Sequence, residues 1–84
     1  MGQARYIEVD LLAPGLELSA ALEKAQEILN RAGGSGWSYG HRPSDFRMVM
    51  YREFETKKAF REALAAIRQG LGGRKFAREI PAPP

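Results

Sequence analysis

The sequence of 84 residues contains no cysteine and only one histidine, His41. Without cysteine the chain has no disulfide, no thiolate metal ligand and no catalytic thiol, and it fits a reducing compartment. No apolar run approaches the roughly 20 residues of a membrane-spanning helix, and no apolar signal region follows Met1. We therefore expect a cytoplasmic protein that makes no membrane contact, and the sequence predicts neither a metal nor a cofactor.

Apolar and charged residues are present in ordinary amounts, at 44% and 27% of the chain. These fractions are typical of a globular protein and exclude wholesale disorder. A chain this short predicts one domain, over residues 1–80, near the lower size limit for an independent hydrophobic core. Residues 81–84 contain three prolines and are predicted to form a loose extended tail.

The apolar pattern alternates along the chain between the period of a strand and the period of a helix. Ser19 is the predicted N-cap of the first helix, and Thr56 is the predicted N-cap of the second. In order, the sequence predicts a strand, a helix, two strands joined as a hairpin, a helix and a strand, over residues 5–12, 18–32, 36–41, 46–54, 57–71 and 74–80.

This order predicts an α+β fold of the ferredoxin-like, split βαβ type. Right-handed crossovers would place both helices on one face of a four-stranded antiparallel sheet. The opposite face, which we call the open face, then has no helix to cover it. Many unrelated functions use this arrangement, so the fold alone does not predict an activity.

The candidate functional residues belong to the open face. If Ile7 and Val9 face the helices, their neighbours in the first strand face away, and the third strand alternates in the same way from an inward-facing Phe46. Antiparallel pairing of these two strands then brings Asp10 close to Arg47. The candidate interface on the open face comprises Tyr6, Glu8, Asp10, Arg47, Val49 and Tyr51.

Trp37 and Tyr39 lie in the second strand, where the length of the hairpin loop decides which way they point. A loop of about four residues pairs them with the inward-facing Met48 and Met50, whereas a change of one residue turns them outward. We interpret both side chains as facing inward.

Three groups of residues resemble parts of catalytic or ligand sites. Glu8 and Asp10 could share a face as an acid–base pair or as metal ligands, but cross-strand pairing with Arg47 or Lys75 is the simpler interpretation. His41 could act as a base, yet the sequence shows no nucleophile or pocket beside it. The glycine-rich run 33–36 follows a helix instead of preceding one, so it predicts a helix stop, not a phosphate loop.

The basic residues concentrate in the second half of the chain, where residues 43–84 hold nine Lys/Arg against five Asp/Glu. A positive stripe with tyrosines nearby is the pattern of an RNA-binding sheet. The third strand lacks the glycine and paired aromatics of the RNA-recognition signature, and acidic residues of the open face would repel a phosphate backbone. The nucleic-acid candidates are Lys57, Lys58, Arg61, Arg68, Arg74 and Lys75.

The sequence therefore predicts a small non-catalytic binding or regulatory module that forms a homodimer through its open face. A second copy could cover the apolar centre of that face, as small domains often require. One alternative is a nucleic-acid-binding protein that uses the basic stripe. A second alternative is an enzyme of the dimeric α+β barrel type, in which two open faces enclose a pocket.

Overall fold

The computed structural model describes residues 5–12 and 15–81, except for the side chains of residues 37–39. The fold is of the α+β class, with two helices and an antiparallel sheet of four strands. The strands are Arg5–Asp10 (β1), Ser35–His41 (β2), Met48–Phe54 (β3) and Ala77–Ile80 (β4), and the helices are Leu18–Arg31 (α1) and Lys57–Leu71 (α2). Neither of these helices has the length and apolar character needed to cross a bilayer. Most of the predicted tail, from residue 82 onward, lies outside the described residues.

The strands lie in the order β2-β3-β1-β4, and every neighbouring pair is antiparallel. β1 is therefore a central strand, paired on one side with β3 and on the other with β4. In this register Glu8 lies opposite Tyr51 of β3 and opposite Arg78 of β4. The middle of the open face is thus built around Glu8.

The main core lies between the helices and one face of the sheet. Ile7, Val9 and Met50 contribute from the strands, while Leu29 of α1 and Ile67 of α2 contribute from the helices, all with no exposed surface. A second, smaller cluster lies on the open face. The alternation of β1 and β3 predicts both clusters, because successive side chains of a strand point to opposite faces.

The two helices begin differently. At α2 the predicted cap is confirmed, because the Thr56 hydroxyl accepts a hydrogen bond from the backbone N–H of Ala59 at 3.1 Å. At α1 the prediction is wrong: Glu17 occupies the N-cap position and makes no side-chain cap, so Ser19 already lies inside the first turn. The first turn of α1 is closed by the backbone, where the N–H of Ala21 donates to the carbonyl of Glu17 at 2.9 Å.

The hairpin between β2 and β3 also differs from its prediction. Phe46 is 77% exposed and has a φ of 58°, so the expectation that it faces the helices is wrong. Its N–H donates to the carbonyl of Arg42 at 2.7 Å, and the N–H of Arg47 donates to the Asp45 carboxylate at 3.2 Å. These bonds close a turn around residues 42–47, and β3 begins only at Met48.

The last strand is shorter than predicted because a 3₁₀ helix, Arg74–Phe76, precedes it. This turn directs Phe76 into the main core, where the ring is 8% exposed. The register of β2 on β3 pairs Tyr39 with Met50 and His41 with Met48. The predicted inward orientation of Trp37 and Tyr39 lies outside the described residues, because the side chains at 37–39 are not described.

Candidate functional site on the open sheet face

Glu8 is the centre of the open face and is only 4% exposed. Its Oε1 accepts a hydrogen bond from Nη1 of Arg42 at 3.0 Å and a second from Nε of Arg78 at 2.9 Å. Arg78 lies directly opposite on β4, whereas Arg42 follows β2 and its side chain crosses β3 to reach Glu8. Two guanidinium groups thereby compensate one buried carboxylate, as a buried charge requires.

Asp10, which is 7% exposed, forms the second acidic position of the face. Nε of Arg47 donates to its Oδ2 at 2.6 Å, and Nη2 of Arg42 lies 3.5 Å from the same oxygen. Its Oδ1 accepts from the N–H of Leu12 at 3.0 Å. The expected proximity of Asp10 and Arg47 is therefore found, and Arg42 joins both acidic residues into one network.

Arg42 is the most highly connected side chain of this network, and the sequence interpretation placed it only in a turn. Besides Glu8 and Asp10, it donates to both carboxylate oxygens of Asp45, from Nε at 2.9 Å and from Nη2 at 2.7 Å. The hydrogen bond with Asp45, together with that to Glu8, raises the pKa of the Arg42 guanidinium. The sequence Arg42-Pro43-Ser44-Asp45 could have predicted the pairing of Arg42 with Asp45, because the first and fourth residues of a turn lie close together.

Asp45 provides a pH prediction for the hairpin. Its bidentate partner Arg42, helped by the N–H of Arg47, lowers the Asp45 pKa from 3.8 to about 2. The folded-state pKa is depressed, so the stabilising contribution of this pair is present above about pH 4 and is lost as the pH falls through about 2. We expect Arg42→Ala to raise the Asp45 pKa from about 2 toward its ordinary value of 3.8 but not fully to it, because the N–H of Arg47 still donates to the carboxylate. Carboxyl carbon NMR titration would measure the change.

Arg47→Ala is the matched control, because it removes an arginine side chain but keeps the backbone N–H that donates to Asp45. We expect this variant to raise the Asp45 pKa less than Arg42→Ala does. An Asp45 carboxyl that already titrates near its ordinary value in the unmodified protein would contradict the ion-pair assignment.

The apolar centre of the open face is covered within the single chain. Val49 has no exposed surface and Tyr51 is 5% exposed; together with Ile80 and the partly buried Tyr6 they form the smaller cluster. Burial, with the adjacent charge of Glu8, raises the pKa of the Tyr51 phenol, and among the described residues its hydroxyl has no hydrogen-bond partner. The face therefore presents less apolar surface than its sequence indicates.

A shallow groove of about 290 Å³ runs along this face beside Glu8. Its most accessible cation is Arg78, whose side chain is 59% exposed and uses only Nε to bind Glu8. Within residues 5–12 and 15–81, the other guanidinium nitrogens of Arg78 have no hydrogen-bond acceptor, so they are available to a partner. The groove is lined by Glu8, Arg42, Pro43, Ser44, Arg78, Ile80 and Pro81.

Comparisons of this chain with protein-family models, with curated proteins and with solved structures find no match.

The other residues considered for catalysis or ligand binding lie at the ends of secondary-structure elements. His41 is exposed at the end of β2, and its backbone pairs with Met48. Among residues 5–12 and 15–81, no group of three or more histidine, aspartate or glutamate side chains is arranged to hold a metal ion. The glycine-rich run begins where α1 ends, since the N–H of Gly34 donates to the carbonyl of Leu29.

The nucleic-acid candidates lie at the two ends of α2. Lys57, Lys58 and Arg61 occupy its first two turns, whereas Arg68 donates from Nε to the carbonyl of Ala77 at 3.1 Å near the other end. Beyond the helix, Arg74 is exposed and Lys75 lies 5.5 Å from the centre of the Phe76 ring. Within the described part of the chain, none of these six cations pairs with a carboxylate.

Arg52 is a buried cation that the sequence interpretation missed. It is 3% exposed on the helix-facing side of β3, where Nη2 donates to Oδ1 of Asn30 at the end of α1. Burial lowers the pKa of this guanidinium, and its Nε has no hydrogen-bond partner in the part of the chain that the structure describes. A β-carbon at Gly34 would lie 2.5 Å from Cγ of Arg52, so glycine there makes room for the arginine. The alternation of β3 could have identified position 52 as inward-facing.

Proposed function

We propose that this chain is a small non-catalytic binding or regulatory module that works through its open face. The observation that supports this proposal is the pairing of both buried carboxylates, Glu8 and Asp10, with arginines at 2.6–3.0 Å. A general acid or base must be free to exchange its proton with a substrate. Here a change of charge on either carboxylate would break the ion pairs that order the face, so the network acts as a rigid platform for contacts.

We also propose that the fold is ferredoxin-like. The strand order β2-β3-β1-β4, with one helix between β1 and β2 and another between β3 and β4, supports the assignment. The assignment does not identify the ligand, because this architecture serves many unrelated functions.

The partner proposed for the open face is a second copy of the chain. The main core places both helices on the other side of the sheet, and the exposed Arg78 and partly buried Tyr6 remain available for contact. Val49 and Tyr51 are already buried in one chain, so such a dimer would gain little apolar burial. We therefore expect a weak, reversible association instead of a permanent one.

Sedimentation velocity on a concentration series up to about 500 µM tests this association. Arg78→Ala should weaken it by about tenfold, because an interfacial arginine with free donors often contributes strongly to binding. Arg61→Ala is the matched control on exposed α2 and should leave the association unchanged. A single monomeric species at every concentration would refute self-association through this face.

A nucleic-acid-binding protein is the second candidate. The observation in its favour is the set of cations on and after α2 that pair with no carboxylate among the described residues. The same two variants separate it from the first candidate. Weaker binding to single-stranded RNA with a smaller salt dependence in Arg61→Ala, with association intact, would support the nucleic-acid role. The dimeric α+β barrel enzyme has less support than either candidate, because Glu8 and Asp10 are paired with arginines.

A further inference from the structure

The exposed apolar side chains gather at one end of the fold. In the described part of the chain, four large apolar residues are exposed, namely Leu12, Leu16, Leu18 and Phe46. Single exposed apolar residues are ordinary on a protein surface, but a contiguous group marks an interaction site.

The topology places all four at the same end of the sheet. β1 ends at Asp10 and α1 begins at Leu18, so Leu12 and Leu16 lie in the connection between them. The N–H of Leu11 donates to the carbonyl of Met48 at 3.0 Å, which fixes the start of β3 beside the end of β1. Phe46 precedes this start by two residues. We call this surface the apolar end.

A groove at the apolar end is large enough to receive a side chain. It has a volume of about 240 Å³, lies between α1 and the strand ends, and contains one polar residue, Ser19. Its apolar walls are Leu11, Leu18, Leu22 and Met48. An aromatic side chain is a common anchor for such a groove, since it buries about 150–250 Å².

Phe46 has the features of such an anchor. Phe46 is 77% exposed, and its backbone adopts the left-handed conformation that bulky residues rarely occupy. The hydrogen bonds of the turn, from Phe46 to Arg42 and from Arg47 to Asp45, hold the backbone in this conformation. The turn therefore presents an aromatic ring outward at the end of the fold that also carries the groove.

A second copy of the chain is the occupant that fits these observations. A two-fold dimer requires a self-complementary patch, in which the projection and the cavity lie on the same surface. The charged side chains nearest Phe46 form two ion pairs, Arg42 with Asp45 and Arg47 with Asp10, so the two copies can approach without strong repulsion. Two rings, their grooves and the flanking leucines would bury on the order of 1,000 Å² in total, the lower limit for a specific interface.

We propose that Phe46 of each copy inserts into the groove between Leu11, Leu18 and Met48 of the other copy, forming a two-fold dimer at the apolar end. The expected dissociation constant is micromolar, in keeping with the small buried area. This contact is separate from the open face, so association there at higher concentration would add to it.

Sedimentation velocity of the full chain from about 1 to about 300 µM tests the proposal. We expect a monomer–dimer equilibrium in the unmodified protein. Phe46→Ser, which removes the ring, and Ser19→Arg, which places a charge in the groove, should each weaken dimerisation by at least about 30-fold. Ala20→Arg is the matched control, because Ala20 is exposed on α1 and does not line the groove. Circular dichroism would verify that all variants keep the fold.

A monomer throughout this range, or a dimer that neither Phe46→Ser nor Ser19→Arg disturbs, would overturn the proposal. Dimerisation that Arg78→Ala weakens, but that Phe46→Ser and Ser19→Arg do not, would also overturn this proposal and would support association through the open face. Conversely, sensitivity to Phe46→Ser without sensitivity to Arg78→Ala over this concentration range would support the apolar-end dimer.

Discussion

Phe54→Ala is expected to lower the free energy of unfolding by about 3–5 kcal/mol, because the ring is fully buried between the sheet and the helices. Phe54 meets the Phe60 ring edge-on, with centroids 6.4 Å apart, and its Cζ also lies close to Gly34. A chain of 84 residues has a total stability of roughly 4–13 kcal/mol. The substitution should therefore remove a large share of it, as measured by urea denaturation.

Two further variants make this result interpretable. Phe54→Leu, which fills most of the same volume, should cost no more than about 1.5 kcal/mol and keeps the measurement possible if the alanine variant fails to fold. Phe46→Ala removes an exposed ring and should change monomer stability by less than about 0.5 kcal/mol when measured at submicromolar concentration. Equal losses in Phe54→Ala and Phe46→Ala would contradict the described core.

Glu8→Ala is expected to lower the free energy of unfolding by about 2–3 kcal/mol. The variant removes the carboxylate that Arg42 and Arg78 share and leaves Arg42, whose side chain is 16% exposed, partly uncompensated. This cost is smaller than the roughly 3–5 kcal/mol expected for breaking a fully buried ion pair, because Arg78 is 59% exposed and water can solvate it. Urea denaturation near pH 7 would measure the difference.

Glu27→Ala provides the comparison for the Glu8 variant, since Glu27 also pairs with an arginine, at 2.8 Å, but on the exposed surface of α1. Its loss should cost less than about 0.5 kcal/mol, the ordinary value for an exposed i,i+4 pair. If Glu8→Ala lowered the free energy of unfolding as little as Glu27→Ala does, the network would contribute little to stability and would not make the open face a rigid platform.

The features that the sequence predicts well are those in which local periodicity determines burial. Ile7 and Val9 alternate with Glu8, so the side chains of β1 separate onto two faces as expected. The nearness of Asp10 to Arg47 follows from antiparallel pairing in the same way. Periodicity predicts these features because a one-residue shift in register would turn every apolar side chain of the strand to the opposite face of the sheet.

The features that the sequence did not predict depend on how the hairpin turn folds. The turn gives Phe46 a left-handed backbone and lets Arg42 reach across β3 to Glu8, a residue 34 positions away in the chain. Neither hydrophobic periodicity nor local secondary-structure propensity predicts a side-chain contact over this distance in the chain. The sequence also does not predict that Val49 and Tyr51 are buried within one chain, because the predicted fold has no helix on the open face.

The irregular pairing of β2 has a consequence for the behaviour of the protein in concentrated solution. β2 is an edge strand, and its register on β3 shifts between Ser35 and Ser38, around a Gly36 with φ of 55°. The opposite edge, β4, has only four residues and is followed by Pro81, which has no N–H to donate. Both edges are poor templates for an added strand. The protein should therefore resist fibril growth by edge-to-edge strand addition, even at concentrations that favour association.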